Sequence, residues 1–352
     1  MKYRVIQWTT GNVGEISLRT ILGHPDLELA GVFSHGESKI GRDAGELCGS
    51  GPVGVLATGN ADELLAMDAD CVVYTATADL RPMEAVDDMC KILAAGKNVV
   101  SSSVVGLVHP TTMHPGVTAR LETACREGGA SFWTNGIDPG FANDLLPLTL
   151  SGLCEHWSEI RIQEIINYAT YAQPEVLFQI MGFGQPMDAT PMLLLPKALA
   201  FAWGGTIRVL AEGLGLTLDE VREEFERLPS DRALDIQGHR IEIGTMGALR
   251  FEVQGIVDGR AAIVVEHITR MHDELAPEWP AGGGYRVLIT GNPGMKVEYE
   301  FWDETGDHAV GGVVLTATRL VNAIPAVCEA ETGLLTPLDL PLVTGRGLYR
   351  PD

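Results

Sequence analysis

Val5-Ile6-Gln7-Trp8-Thr9-Thr10-Gly11-Asn12-Val13-Gly14 is the stretch on which the reading of the fold turns. Tyr3–Trp8 is apolar and β-prone, and a glycine-bearing turn follows it. Glu15–Leu22 then carries its apolar residues at helical spacing. A strand, a tight turn and a helix open a βαβ unit.

Working outward, the same alternation continues. Leu27–Phe33, Val53–Thr58, Cys71–Thr75, Asn98–Ser101 and Ala130–Thr134 read as strands. Ala61–Met67, Pro82–Ala95 and Gly116–Glu127 read as helices. Strands alternating with helices predict a parallel, doubly wound sheet with right-handed crossovers. Near Leu150 the pattern changes. Ser158–Tyr168 alternates as a longer strand, whereas Thr190–Leu214 and Leu218–Leu228 read as helices. Ile236–Ile243, Leu249–Asp258, Ala261–Arg270, Tyr285–Thr290 and Met295–Trp302 are strands with no helix between them, and Asp258-Gly259 is a hairpin signal. Gly311–Ala330 is a final helix, and Leu335–Asp352 reads as a tail that wraps the surface. The expected fold class is therefore α/β. A Rossmann domain over residues 1–148 precedes an α+β domain with a mostly antiparallel sheet over 149–310, and 311–352 returns to the first domain.

The opening turn approximates the dinucleotide fingerprint G-x-G-x-x-G, with Thr9 in the first place and Gly11 and Gly14 in the second and third. Gly11 lets a backbone approach a diphosphate, and Gly14 lets the helix lie close to the strand. The helix N-terminus offers amide donors and the positive end of its dipole. Thr9, Thr10, Gly11, Asn12, Val13 and Gly14 are thus the expected diphosphate cradle. A generic βα turn also favours glycine, but the position on the first strand supports the cofactor reading. After the second strand, NAD sites place a carboxylate for the ribose hydroxyl. Here that corner reads Ser34-His35-Gly36, with Lys39 and Arg42 behind it. A hydroxyl, an imidazole and two cations suit a 2′-phosphate, so NADP(H) is favoured and NAD(H) is the alternative. Thr75, Ala76 and Thr77 end one strand, and Ser101 and Ser102 end the next, where small residues admit the nicotinamide ribose.

Composition bounds the partners. The 352 residues suit two domains, and the formal charge of −22 comes from 25 basic and 47 acidic residues. Such a surface repels nucleic acid and anionic membranes. No apolar stretch is seen to reach the ~20 residues that span a bilayer. The six cysteines form no CxxC pair and no metal-ligand spacing. They read as thiols of a reducing compartment, so a cytoplasmic protein without a metal is expected.

Several segments together resemble one family. Gln7–Gly14, Ser34–Leu47, Asn135–Pro147 (Asn-Gly-Ile-Asp-Pro-Gly-Phe-Ala-Asn-Asp-Leu-Leu-Pro) and Asn322–Leu340 look like the dihydrodipicolinate-reductase-like oxidoreductases, nearest the 2,4-diaminopentanoate dehydrogenase and native amine dehydrogenase branch. The resemblance implies a homodimer, NAD(P)H and hydride transfer to the carbon of a C=N or C=O group in a small-molecule substrate. Amine dehydrogenases of that branch carry a Glu just after the fifth strand. The matching stretch here, Ser102–Pro110, has no carboxylate, which argues against reductive amination with free ammonia. The paired His and nearby Lys of dihydrodipicolinate reductase are absent too, and so is the Lys that a sugar or cyclitol oxidoreductase would place after the fifth strand.

Hydride transfer asks of the protein geometry and one proton donor or acceptor. The catalytic candidates are Glu164, Tyr168, His109 and Asp144. Glu164 and Tyr168 sit at alternate positions of one strand reading and share a face. His109 follows the fifth strand, and Asp144 follows the Pro139-Gly140 turn, where helix capping competes with catalysis. Met181-Gly182-Phe183-Gly184 reads as a lid or as a plain helix-linking turn, and Arg270 reads as a surface or interface ion pair, with a carboxylate clamp as the alternative. The alternative to an enzyme is a non-catalytic dinucleotide-binding sensor or scaffold.

Overall fold

The computed structural model describes residues 2–78 and 81–351, so the Met1 and Asp352 ends of the expected domains lie outside the described residues. The chain divides into two compact units, one of residues 1–138 and 313–352, the other of 139–312.

In the first unit β1 (Tyr3–Trp8) leads into α1 (Asn12–Gly23), β2 (Leu27–Phe33), α2 (Ala44–Leu47), β3 (Ala57–Thr58), α3 (Ala61–Ala66), β4 (Cys71–Tyr74), α4 (Pro82–Ala94), β5 (Asn98–Ser101), α5 (Pro115–Gly128) and β6 (Ser131–Thr134). All strands are parallel, and with β15 (Gly333–Leu335), from near the end of the chain, their order is β15-β6-β5-β4-β1-β2-β3. Alternation along each strand feeds two apolar layers. Ile6, Trp8, Val72 and Tyr74 meet Ala85, Met89 and Ile92 of α4 and Leu121 of α5. Val5, Val73 and Val100 pack on the opposite face with Leu18 and Ile21 of α1. The order reverses between β1 and β4, and in such sheets ligands settle outside the strand ends at that point.

The second unit starts with α6 (Leu145–Ser151), then β7 (His156–Asn167), α7 (Ala198–Gly213), β8 (Glu220–Pro229), the hairpin β9 (Leu234–Ile236) and β10 (His239–Ile241), β11 (Met246–Val257), β12 (Arg260–Arg270), β13 (Gly284–Asn292) and β14 (Met295–Tyr299). Its main sheet runs β14-β13-β7-β12-β11-β8. Every pairing is antiparallel except β7 with β12. One face carries an apolar core with α7, including Ile160, Ile162, Phe251 and Val265. The other is polar: Glu266 takes bonds from Arg161, Gln163 and Arg250 at 2.8, 2.8 and 2.7 Å.

Three readings are corrected here. Leu218–Leu228 is no helix: β8 pairs with β11 over its length. Its Glu- and Arg-rich composition has helical propensity, but cross-strand pairing prevails, and its charges suit a sheet edge. The final helix α8 (His308–Glu329), assigned to the first unit from Val313 on, has 22 residues and mean hydropathy 1.5. By length and composition it is long enough to cross a bilayer, contrary to the expectation that no such stretch exists. Leu320, Val321, Ile324 and Val327 are fully buried in the first unit's core, and 39% of the helix's apolar window is buried. The tail does not simply wrap the surface, because β15 (Gly333–Leu335) extends the parallel sheet beside β6.

Candidate functional site

The turn after β1 is built for close approach. A Cβ on Gly14 would stand 2.3 Å from the Thr9 carbonyl oxygen and 2.8 Å from Thr75 Oγ1, so only glycine fits there. A Cβ on Gly11 would meet nothing within 4 Å, which leaves the space over the turn open. Gly11 is also the N-cap of α1 and supplies no side-chain cap, so the helix end depends on other acceptors. Thr9, in the place of the first glycine, holds φ 71°. That left-handed conformation is unusual for a β-branched residue.

Neighbours brace the turn. Gln7 Nε2 donates to the Thr9 carbonyl and to Thr75 Oγ1, both at 2.9 Å. Thr75 Oγ1 donates in turn to the Trp8 carbonyl at 3.1 Å. Thr75 therefore acts first as a tie between β1 and β4. Gln7 Oε1 and Thr10 Oγ1 are buried with no hydrogen-bond partner among the described residues, and buried polar groups of this kind call for a ligand or water. The open space over Gly11 and these oxygens fit a dinucleotide. Asn12 and Val13 begin α1 on the exposed side.

Beyond β2, Ser34 is buried and its Oγ accepts the Gly36 amide at 3.2 Å. Lys39 Nζ donates to the Thr10 carbonyl at 2.6 Å and so ties this corner to the glycine turn after β1. Arg42 is exposed. His35 packs edge-on against Phe33 at 4.8 Å and lies 3.4 Å from Arg81 Nη2. Burial, and then the Arg81 cation, lower its pKa. Arg81 is a residue that sequence reasoning missed; it is held by Nε donating to the Thr77 carbonyl at 3.2 Å. Ser101 Oγ accepts the Ser103 amide at 2.9 Å, Ser102 is half-buried, and Ala76 is buried beside exposed Thr77. Val104, just after β5, is a second β-branched residue with positive φ, at 55°.

In the second unit the register aligns one residue from each of six strands. Tyr299 stands opposite Tyr285, Tyr285 opposite Glu164, Glu164 opposite His267, His267 opposite Phe251, and Phe251 opposite Phe225. Glu164 is the only carboxylate in this row. Its Oε1 accepts the Tyr285 hydroxyl at 3.0 Å. Its Oε2 accepts the Tyr168 hydroxyl at 2.9 Å and lies 2.8 Å from His267 Nδ1. His267 stacks on Phe251 at 4.6 Å and meets Trp203 edge-on at 4.6 Å. Glu164 and Tyr168 were expected to point together, and they do. Tyr285 and His267 join them through pairing that a local reading cannot see. Tyr171 stacks on Tyr168 at 5.0 Å.

The remaining candidates have structural partners. Asp144 is fully buried and caps α6 by accepting the Leu145 amide. His109 is buried and its Nδ1 pairs with Thr111 Oγ1 at 2.8 Å. Arg270 is not a carboxylate clamp: it donates to the carbonyls of Leu275, Ala276, Trp279 and Pro280. Met181–Gly184 is not free to act as a lid, since Phe183 is buried and the Gly184 amide is bound to the Met246 carbonyl at 2.9 Å. The six cysteines are free, and burial pushes the Cys125 thiol up to about 12, which suits packing better than nucleophilic work.

Residues 5–104 match the dihydrodipicolinate reductase N-terminus family, and residues 141–346 match the 2,4-diaminopentanoate dehydrogenase C-terminal domain family. An amine dehydrogenase of Streptomyces virginiae is 42% identical over 344 residues, 96% of each chain. The 2,4-diaminopentanoate dehydrogenase of Acetoanaerobium sticklandii is 24% identical over 72% of this chain and 70% of its own. The fold is that of an amine dehydrogenase from Mycobacterium smegmatis, with TM-score 0.79, 20% identity and 98% of both chains covered. A biliverdin reductase from Synechocystis, solved with biliverdin and NADP+, shares it at TM-score 0.52 and 12% identity, with 92% of this chain and 90% of that one covered. The chain belongs to the amine dehydrogenase and 2,4-diaminopentanoate dehydrogenase family of dihydrodipicolinate-reductase-like, NAD(P)-dependent oxidoreductases.

Proposed function

We propose that this protein is an amine dehydrogenase that interconverts a small amine and its carbonyl compound, with NADP(H) preferred over NAD(H). One observation carries the reading: Glu164, a buried carboxylate, is held by two phenols and an imidazole in an otherwise aromatic row. An ammonium or iminium nitrogen is a cation, and a carboxylate in low dielectric stabilises it strongly. Glu164 is the carboxylate we assign to the task that Ser102–Pro110 cannot perform.

When bound, the coenzyme supplies a hydride acceptor at its nicotinamide ring. The protein's part is charge and proton handling. The Glu164 carboxylate anchors the substrate ammonium and takes one of its protons, leaving a neutral amine. Glu164 passes that proton on to water, the carbon gives up its hydride, and the restored carboxylate stabilises the resulting iminium. Water adds to the iminium carbon, and ammonia leaves as ammonium, with one proton released overall. Tyr168 and Tyr285 fix the two Glu164 oxygens and limit their motion. Thr9–Gly14, with Thr75–Thr77 and Ser101–Ser102 at the neighbouring strand ends, form the coenzyme cradle.

The same reading makes the protein a cytoplasmic homodimer, for which the six free thiols and the family resemblance speak. Turnover of a panel of primary amines and of matching alcohols, with NADP+ and with NAD+, tests the proposal by coenzyme absorbance. Oxidation of amines, and ammonia-dependent reduction of the ketones, is expected. Turnover of alcohols with none of any amine overturns it.

A further inference from the structure

We infer that Arg81, reaching across from the β4–α4 connection, is the residue that selects the adenosine 2′-phosphate, and that Lys39 is not. The inference rests on the NADP(H) preference proposed above and assigns it to particular side chains.

The cations around the end of β2 do different work: Arg42 is exposed, whereas Lys39 and Arg81 are each held by a carbonyl. Lys39 Nζ is 2.6 Å from the Thr10 carbonyl, so its charge is committed to the diphosphate turn. A tie of that kind supports either coenzyme equally, because both carry the diphosphate. Arg81 is placed otherwise. Its Nε bond to the Thr77 carbonyl fixes the guanidinium root, and Nη2 extends to 3.4 Å from His35 Nε2. His35 follows Ser34 at the end of β2, where the adenosine ribose hydroxyls are read. Burial and the Arg81 charge hold the imidazole pKa low. A planar guanidinium with its remaining N–H groups suits bidentate pairing to a phosphate. It also stands just before the N-terminus of the 13-residue α4, whose dipole adds positive potential.

Among the described residues, Asp88, on α4, accepts the Tyr74 hydroxyl at 3.0 Å, Glu84 lies in the first turn of α4, and Glu37 is exposed on the loop. None of these is placed at the end of β2, where an NAD-selective carboxylate would stand.

The test compares Arg81→Ala and Lys39→Met with the unaltered full-length protein, reading NADPH and NADH dissociation constants by nucleotide fluorescence. Calorimetry with adenosine 2′,5′-bisphosphate and with ADP isolates the subsite. Arg81→Ala should weaken NADPH and the 2′,5′-bisphosphate about tenfold to a hundredfold, in line with loss of a charge-assisted pair. NADH and ADP should change less than about twofold, and Arg81→Lys should fall between. Lys39→Met should weaken both coenzymes by the same factor. If the unaltered protein prefers NADPH but Arg81→Ala weakens both coenzymes alike, or neither, the Arg81 inference is wrong and the NADPH preference stands. If the unaltered protein binds both coenzymes equally, the preference itself fails and the inference with it. Thermal unfolding of each variant separates lost binding from lost folding.

Discussion

Glu164 and His267 face each other across the one parallel pairing of the second unit's sheet, 2.8 Å apart at Oε2 and Nδ1. Their side chains are 6% and 4% exposed, and both Glu164 oxygens also accept phenol bonds. Replacing Glu164 by Gln keeps the size and a carbonyl acceptor but removes the charge. Amine turnover should fall about 10²- to 10⁴-fold in kcat/KM, the range for a lost acid–base group. The coenzyme dissociation constant should not move. Unchanged amine turnover in E164Q would remove Glu164 from the mechanism.

Thr9 holds a left-handed backbone in a place where related turns use glycine. The conformation costs a residue with a Cβ about 1–2 kcal/mol. Glycine returns part of this through its greater unfolded-state freedom, about 0.5–1 kcal/mol. Thr9→Gly should therefore raise stability by up to about 1 kcal/mol in urea denaturation. A clear loss of stability would mean that the threonine side chain makes packing contacts worth more than the strain.

Gly14→Ala has no room. The new methyl would stand 2.3 Å from the Thr9 carbonyl oxygen, which is backbone and cannot rotate away. Either the helix moves off the strand or the turn opens. We expect a loss of about 1–3 kcal/mol and weaker binding of both coenzymes, measured by chemical denaturation and fluorescence titration. Wild-type affinity in G14A would refute the close-approach argument.

Glu266 sits fully buried on the polar face of the same sheet. Burial acts to raise its pKa, but bonds from Gln163 and Arg161, with the charges of Arg161 and Arg250, outweigh this and hold it below its usual 4.5. A carboxyl with a depressed folded pKa stabilises the protein above its unfolded pKa, and that share is lost as pH falls through the folded value. Glu266→Gln should cost about 1–3 kcal/mol near neutral pH, because Arg161 and Arg250 lose a charged partner while Arg161 keeps Glu252 and Glu159. The gap between variant and wild type should narrow below pH 4.5. A gap that stays constant well below pH 4.5 would exclude an electrostatic origin.

Legibility in the sequence followed range. Gly11 and Gly14 lie within one turn of one another, so strand, turn and helix were readable from spacing alone. The β8 segment was misread because Glu and Arg favour helices locally, while the partner that makes it a strand, β11, comes later in the chain. Arg81 and His35 are 46 residues apart, and Tyr285 and Glu164 are 121 apart. Nothing near either residue announces the pairing.

From the amino-acid order alone come the α/β start, the glycine turn for a diphosphate, the switch to a sheet of long strands and the pairing of Glu164 with Tyr168. Each depends on periodicity or on residues within a few positions, and short-range sterics decide those. Tertiary structure alone decided which residues flank Glu164, which cation serves the turn and which faces His35, and that α8 buries Leu320, Val321, Ile324 and Val327 in the first unit's core. Strand register and helix packing settle such questions, because a shift of one residue turns a side chain to the opposite face of a sheet.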